Sequence, residues 1–309
     1  MVRILIINEL PQSPCSFYRS VEPLARLSKE NDIHVTVCTK KCSWENLTLN
    51  DILLFQRPFS REDLDIIVKA KVLGLSVWAD YDDNLFSVGE YDEAFSYFTD
   101  KNNLIELLEM VDIVTVTTEK MKDTYLPYNE STIVIPNCLN DYVFPLQSKK
   151  HFSGNKETFW RGSVHKFYDI FYYYPFILKY IQMYDKWKFN FMGYKFKFQT
   201  FYDLSLDIKN TEYIKTSEML TYFWKQHSIN AALAIIPLIK NLGNESKSNI
   251  SWIEATYSGS ACLIPSWGDF VNCPGIKYDT QEDFDIQLDR CLSFSADLRR
   301  SNEDSWKYI

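Results

Sequence analysis

Short apolar, β-rich segments alternate with amphipathic helical patterns along the first half of the chain. The apolar segments predict strands at residues 3–7, 33–38, 52–55, 76–79, 113–117 and 132–135. The helical patterns lie between them, at residues 18–27, 62–72, 103–110 and 120–126. This alternation predicts a parallel sheet with helices on both faces, in which ligands gather at the carboxyl ends of the strands.

A second alternation follows a polar stretch at residues 140–156, whose turn residues predict a linker. Its strands are predicted at residues 158–161, 188–192, 213–214, 231–237 and 261–264, and its helices at residues 168–183 and 217–226. The sequence therefore predicts an α/β protein with two Rossmann-like domains, residues 1–145 and 146–309, facing across a cleft. The last helical pattern, at residues 282–298, is compatible with capping the second domain or with crossing back to the first.

Residues 244–266 combine a polar loop, an amphipathic helix, a glycine stop and a short apolar strand. Ser248 or Asn249 is suited to cap the helix, because a short polar side chain satisfies the first free backbone N–H groups. Gly259 stands where a left-handed C-cap is usual. The apolar run at 261–264 predicts a strand buried on both faces.

The start of this helix has the properties of a phosphate site. A helix N-terminus offers free N–H groups and a positive dipole, and Lys247 adds a mobile charge just before it. Glu254, further along the helix, is suited to accept hydrogen bonds from sugar hydroxyls. Together they predict a nucleotide-sugar site; the alternative is a solvated loop before an ordinary core helix.

Polar residues also follow the strands of the first half. No Gly-x-Gly-x-x-Gly fingerprint follows the first strand, which argues against a dinucleotide cofactor there. Tyr18 and Arg19 are expected to open the next helix and to face the cleft, or else to form a surface pair. Arg57, at the end of the third strand, is suited to hold an anionic or hydroxyl-rich ligand, or to pair with a neighbouring carboxylate.

Three carboxylates follow the fourth strand, in the run Asp80-Tyr81-Asp82-Asp83. The Asp-x-Asp pattern is short and common, and some glycosyltransferases use it to hold a divalent metal and a diphosphate. We favour acceptor binding or a structural use for Asp82 and Asp83, because the phosphate-binding residues lie in the other half of the chain.

The first strand of the second half ends in another candidate loop. Gly162 allows a ligand to approach the backbone, and Ser163 with the amides after it is suited to contact phosphate. His165 is suited to donate to a diphosphate oxygen, and Asp169 to orient His165 or to cap a helix. Pro237 ends another strand and is expected to line the cleft.

Composition narrows the functional classes. The chain has 309 residues, a formal net charge of −8 and 46% hydrophobic residues, and the negative charge argues against a large nucleic-acid surface. The first apolar run is too short for a signal peptide, and the longest, residues 231–239, is half a membrane span. Seven cysteines without metal-type spacing indicate a reducing cytoplasm and no structural metal.

With these pieces placed, the chain resembles a glycosyltransferase of the GT-B fold, near the family 4-like enzymes of bacterial and phage genomes. The resemblance is carried by Tyr18-Arg19, Gln56-Arg57-Pro58, Asp82-Asp83-Asn84-Leu85, Pro136-Asn137, Gly162-Ser163-x-His165-x-x-x-Asp169 and Asn244-x-x-Lys247-Ser248-Asn249-x-x-Trp252-x-Glu254-x-x-x-x-Gly259. In the wider family a Glu-x7-Glu pair brackets the last motif. Glu254 matches its second member, whereas Ser246 stands at the position of the first, which often handles the donor sugar.

The resemblance implies a hexosyl- or pentosyltransferase whose second domain binds a nucleotide-sugar, most simply a UDP-sugar, without an obligatory cofactor or metal. Lys247, Asn244 and the amides near Ser248 and Asn249 would then neutralise the leaving diphosphate. Glu254 would bind the ribose, and His165 would assist at the phosphate or the sugar. The transfer would retain the anomeric configuration.

On the same model the first domain presents the acceptor, a carbohydrate, glycolipid or modified nucleobase, beside Tyr18, Arg19, Arg57, Asp82 and Asp83. Three other hypotheses stay open. They are a metal-dependent transferase built on Asp80 and Asp82, a degenerate non-catalytic binding subunit, and a transferase that glycosylates modified bases of phage DNA.

Overall fold

The computed structural model describes residues 1–8, 13–87, 100–141, 144–145, 149–152, 154–162, 167–193, 210–215, 219–293 and 295–309. The chain forms two compact units, Met1–Asn140 with Asn241–Ser248, and Asp141–Lys240 with Asn249–Ile309. Each unit contains a parallel sheet that has six strands in the described residues, which confirms the predicted pair of Rossmann-like α/β domains. The predicted boundary after residue 145, and the roles assigned to the two domains, stay predictions.

The sheet of the first unit has the strand order β2-β1-β3-β4-β5-β6. Its strands are β1 Val2–Ile7, β2 Ile33–Cys38, β3 Ile52–Gln56, β4 Ser76–Tyr81, β5 Ile113–Val116 and β6 Thr132–Val134. The strand order reverses direction between β1 and β3, and in doubly wound sheets this reversal is where ligands bind.

Helices cover both faces of this sheet. They are α1 Pro14–Ser16, which continues through a π-helical turn at Phe17–Val21 into α2 Glu22–Glu30, then α3 Trp44–Thr48, α4 Arg61–Val72, α5 Lys101–Met110 and α6 Glu119–Tyr125. Successive side chains of β1 enter different cores: Leu5 and Ile7 pack in one cluster, and Ile4 and Ile6 in another with Leu24 of α2. Apolar residues at consecutive positions are therefore what this strand requires.

The sheet of the second unit has the order β12-β11-β10-β7-β8-β9. Its strands are β7 Glu157–Gly162, β8 Lys188–Gly193, β9 Thr211–Ile214, β10 Leu233–Ile235, β11 Ala261–Pro265 and β12 Ile276–Tyr278. Counted within the unit, this order is 6-5-4-1-2-3, the arrangement of dinucleotide-binding Rossmann domains, and it reverses between β7 and β10.

The remaining helices of the described residues follow β6 along the chain. They are α7 Phe167–Met183, α8 Met219–Ile229, α9 Leu242–Glu245, α10 Ile250–Tyr257, α11 Gln281–Ser293 and α12 Ser295–Tyr308. Helix α12 packs on β11 and α10, so the last helix belongs to the second unit, one of the two placements that the sequence left open. Among the described residues, we find no helix with the length and apolarity that a membrane crossing requires.

Local signals misplaced three elements. Strand β4 continues through Asp80 to Tyr81, because β3 and β5 pair with it on both sides. The predicted polar loop at 244–249 includes part of α9, whose N-cap is Asn241. The pattern at 282–298 spans parts of two helices, α11 and α12.

Gly259 gives a stability test of the predicted helix stop. Its φ of +90° confirms the left-handed conformation, and a Cβ atom there would lie 2.8 Å from the carbonyl oxygen of His151. Gly154, in the same unit, has a similar φ of +73° but its nearest neighbouring atom would lie 3.8 Å away. We expect Gly154→Ala to lower the free energy of unfolding by about 1 kcal/mol and Gly259→Ala by about 3 kcal/mol, because the second adds a steric clash to the backbone strain.

Urea unfolding followed by circular dichroism measures both values. Equal losses for the two variants would contradict the assigned contact with His151.

Candidate functional site

Four polar side chains lie at the carboxyl end of the first unit's sheet. Asn8 follows β1, Gln56 ends β3 and pairs in register with Asp80 of β4, and Asp80 pairs with Thr115 of β5. All four are buried, Asn8 to 1% exposure and Gln56 to 6%. A row of polar groups in an otherwise apolar sheet needs compensating partners.

Arg19 supplies that compensation at Asp80. Its guanidinium donates to the two carboxylate oxygens of Asp80 at 3.1 and 2.7 Å, and both side chains are almost completely buried. Arg19 also donates to the carbonyl of Ile135 and to Oδ1 of Asn137. Burial outweighs the attraction of Arg19 and raises the pKa of the Asp80 carboxyl.

The structure therefore places Arg19 in the interior of the first unit, in the middle of a continuous helical segment. The prediction that Arg19 opens this helix was wrong. Tyr18, its neighbour, is half-buried and makes an edge-to-face contact with Phe17 at 5.4 Å between ring centroids.

Arg57 organises a second cluster at the same edge. Its backbone has a φ of +50°, a conformation that costs about 1 kcal/mol for a residue with a side chain. The guanidinium donates to both oxygens of Asp82, to Asp83 at 2.7 Å and to the Cys15 sulfur at 2.9 Å. Although burial acts against it, Arg57 lowers the pKa of Asp82.

The Asp-x-Asp pattern is thus divided between two arginines. Asp80 accepts from Arg19 and Asp82 accepts from Arg57, so neither carboxylate is available to a cation without breaking an ion pair. Within the described ranges, no cluster of three or more His, Cys, Asp or Glu residues is arranged to hold a metal.

The segment that carries Lys247 is fixed by polar contacts inside the first unit. Asn241 caps α9 by accepting from the Asn244 amide at 2.8 Å. The Asn84 side chain donates to the Ser246 hydroxyl at 3.0 Å, and Thr118 donates to the Ser246 carbonyl at 3.0 Å. Ser246 is 1% exposed, and its hydroxyl and carbonyl groups make these contacts.

Ser248 completes the attachment, since its hydroxyl accepts from the Asn137 side chain at 2.8 Å. Asn137 in turn accepts from Arg19 at 3.2 Å. A continuous chain of hydrogen bonds therefore runs from buried Asp80 to the residue after Lys247.

In the second unit, Arg161 and Glu254 form an ion pair at the reversal of strand order. Arg161, the penultimate residue of β7, donates from Nη2 to Oε2 of Glu254 at 2.6 Å and to the Ser251 hydroxyl at 3.2 Å. Tyr222 donates to the same Glu254 oxygen at 2.7 Å, and the Arg161 guanidinium lies 5.4 Å from the Tyr222 ring centroid. Glu254 is 2% exposed.

A cavity of about 20 Å³ lies beside this ion pair, lined by Arg161, Ile236, Pro237, Ser251 and residues around them. Its volume suits about one water molecule. The cavity lies at the carboxyl ends of the paired strands β7 and β10, where it is lined by Arg161 of β7 and by Pro237, two residues after β10. In a Rossmann sheet the strand reversal is where ligands bind.

The first turn of α10 has no side-chain cap. Asn249 occupies the N-cap position without a capping hydrogen bond, and its amide group donates to the Cys273 sulfur at 3.2 Å. The Asn249 backbone N–H donates to Asp269 at 2.8 Å, and burial raises the pKa of Asp269. The expectation that Ser248 or Asn249 caps the helix through its side chain was wrong, because both side chains bind elsewhere.

The loop after β7 is described only in part. Gly162 pairs in register with Gly193, and a Cβ on Gly193, whose φ is +101°, would collide with the Gly162 carbonyl. Ser163 and His165 lie outside the described residues. Asp169 is buried, and its carboxylate accepts from the Ile239 amide at 3.0 Å.

Arg161 and Tyr222 are not among the site residues predicted from the sequence. The sequence does indicate Arg161 as a candidate, because a cationic residue immediately before Gly162, at the carboxyl end of a strand, lies where ligands bind in parallel sheets. Tyr222 carried none, since it lies on α8 among other aromatic residues.

No family model matches the sequence, and no curated protein matches it. The structure is similar to a UDP-forming α,α-trehalose-phosphate synthase from Burkholderia xenovorans, with a TM-score of 0.63 at 8% identity over 99% of this chain and 95% of that one. It is similar to the catalytic domain of starch synthase IV from Arabidopsis thaliana, solved with ADP and acarbose, with a TM-score of 0.64 at 9% identity over 99% and 95%.

TarM gives a TM-score of 0.60 at 14% identity, over 83% of this chain and 50% of TarM. At these identities the likeness shows the fold. These neighbours are GT-B glycosyltransferases, and the protein has the two-domain α/β fold of the GT-B class.

The Arg161–Glu254 pair can be tested by its contribution to stability. Glu254→Gln removes the charge opposite a guanidinium whose side chain is 23% exposed. We expect the free energy of unfolding to fall by about 2 kcal/mol, less than the ~3–5 kcal/mol of a fully buried pair, because solvent screens part of the Arg161 charge.

Glu303→Gln, on the exposed side of α12, makes the same chemical change as a matched control and should change stability by less than about 0.5 kcal/mol. Thermal unfolding of both variants measures these changes in stability. Equal stability of the two variants would show that the ion pair does not contribute to the free energy of unfolding.

Proposed function

We propose that the protein is a glycosyltransferase that moves a sugar from a nucleotide-sugar donor to an acceptor hydroxyl. The GT-B fold supports this proposal, because the neighbours named above are glycosyltransferases and one of them was solved with ADP and a sugar. The main support for the proposed transferase comes from the carboxyl end of the second unit's sheet. The Rossmann-type strand reversal of the second unit holds a cation, Arg161, at the end of β7, and the first turn of α10 lacks a side-chain cap.

Donor binding follows from these groups. Free N–H groups in the first turn of α10 are suited to a diphosphate, and Lys247, three residues before the helix, adds a flexible cation. Asn244 and the Ser248 amide belong to the same stretch, and a diphosphate would reach the Asn249 amide by displacing the Asp269 carboxylate from it. Arg161 is a second cation for the diphosphate, held in place by Glu254 and Tyr222.

Glu254 has two roles in this proposal. Its carboxylate fixes the Arg161 guanidinium, and it accepts hydrogen bonds from the donor ribose, as the resemblance implies. Gly162 and Pro237 contribute backbone at the two strand ends, and Ser163 and His165 keep the phosphate and sugar contacts that the resemblance gives them.

The chemistry is substitution at the anomeric carbon. The bond from that carbon to the diphosphate oxygen breaks, a bond to the acceptor oxygen forms, and the acceptor proton passes to the leaving diphosphate. The rate then depends on stabilising the leaving group and on positioning, and we propose a retaining, metal-independent transfer because Lys247 and Arg161 supply the positive charge. A UDP-sugar donor, a hexose or pentose as the transferred group, and a cytoplasmic bacterial or phage enzyme complete the proposal.

A non-catalytic nucleotide-sugar-binding subunit is the second candidate function. The buried, hydrogen-bonded Ser246 at the position of the family's first Glu favours it, because that position then offers the donor sugar no carboxylate. Release of free nucleotide from a panel of UDP-, GDP- and ADP-sugars separates the two candidates, since a binding subunit shows no turnover with any donor.

Lys247→Ala tests the transferase. Removing a charged contact to the leaving group typically costs ~10²–10³-fold in rate, so we expect that loss in nucleotide release, together with weaker binding of UDP. Lys186→Ala, an exposed lysine in the turn between α7 and β8, changes the net charge equally and should retain full turnover. Near-normal turnover of the folded Lys247→Ala protein would refute the assignment.

A further inference from the structure

The carboxyl edge of the first unit's sheet holds its positive charges in internal ion pairs. Arg19 binds Asp80 through two hydrogen bonds, and Arg57 binds Asp82 and Asp83. Three carboxylates thus stand against two guanidinium groups, and the cluster carries an excess of negative charge. A phosphate arriving here meets arginines whose donors are already directed at carboxylates.

These pairs are not easily exchanged for an external anion. The Arg19 and Asp80 side chains are 2% and 1% exposed, so opening that pair would leave a buried charge without its counter-charge. Arg57 lies between Asp82 and Asp83 and donates from Nη2 to both. An anion bound to Arg57 would therefore lie beside two like charges.

Two neutral amides at the same edge have hydrogen-bonding capacity to spare. Within the described residues, neither polar atom of the Asn8 side chain has a partner, and Nε2 of Gln56 has none. Both side chains are more than nine-tenths buried. Asn8 follows β1 and Gln56 ends β3, the two strands of the order reversal. An unsatisfied buried amide is unfavourable enough to call for an explanation.

Together these atoms call for one hydrogen-bond donor and for acceptors. Oδ1 of Asn8 needs a donor, while Nδ2 of Asn8 and Nε2 of Gln56 need acceptors. A hydroxyl group supplies both, whereas an ionised phosphate only accepts. Asp83, whose side chain is 44% exposed, adds a carboxylate that a ligand hydroxyl can reach.

We propose that this edge binds an uncharged, hydroxyl-bearing acceptor and rejects phosphorylated ones. Asp83 accepts a hydrogen bond from an acceptor hydroxyl, and the Asn8 and Gln56 amides bind further hydroxyl groups at the strand ends. The inference rests on the proposed glycosyltransferase function and specifies its acceptor class. The same charges oppose the phosphate backbone of DNA.

The test compares ligands that differ by one phosphate. Calorimetric titration of the full-length protein, with and without saturating UDP, uses glucose and glucose 6-phosphate, N-acetylglucosamine and its 6-phosphate, and glycerol and glycerol 3-phosphate. We expect at least about tenfold tighter binding of the neutral member, because the added phosphate is repelled by the excess carboxylate charge.

Variants locate the effect. Asp83→Asn should weaken binding of the neutral member about tenfold and narrow its advantage over the phosphorylated one, because the anionic acceptor of the hydroxyl proton is lost. Asp83→Glu, which keeps the charge, should preserve the preference and shows that loss of folding is not the cause. Asp65→Asn, on the exposed side of α4, is the matched control and should bind as the wild type does.

Three results would overturn the inference: tighter binding of the phosphorylated members, Asp83→Asn indistinguishable from Asp65→Asn, or no binding of any neutral ligand. Binding of UDP in the same samples keeps the two proposals apart. If the wild-type protein does not bind UDP, the donor site is refuted and the saccharide comparison remains valid. If it binds UDP but prefers the phosphorylated ligands, only the proposed acceptor class is refuted.

Discussion

The buried ion pair between Arg19 and Asp80 is the contact on which the arrangement of the first unit depends. It joins the helix after β1 to the middle of the sheet, and through Asn137 it reaches Ser248. Two charges with almost no exposure persist only when their hydrogen bonds are nearly complete, and here Thr115 and the Ile135 carbonyl take part as well. The position of the segment that carries Lys247 is therefore linked to a core interaction.

The two strand reversals present different chemistry. At the first, between β1 and β3, the arginines are matched by carboxylates and the remaining capacity belongs to neutral amides. At the second, between β7 and β10, one arginine is held by one glutamate beside a helix start without a side-chain cap. This difference is the basis for the proposed recognition of hydroxyl groups at the first reversal and of a diphosphate at the second.

Ser246 occupies a position that suits a small neutral side chain. A glutamate there would carry a charge into a position that is 1% exposed and packed by Asn84 and Thr118. The serine hydroxyl suits that position because it accepts from Asn84 and donates to the Leu242 carbonyl. The residue therefore anchors α9 to the first unit.

Periodicity along the chain determined the α/β class, the parallel sheets and the glycine stop at Gly259, because these depend on spacing, β-branched content and local backbone freedom. It also indicated which strand ends carry polar groups. Only the tertiary structure decided the partner of each charge. Arg19 pairs with Asp80, 61 residues further along the chain, and Arg161 of β7 pairs with Glu254 of α10. Such pairings depend on which strands become neighbours in the sheet, and residue type and local spacing do not encode that order.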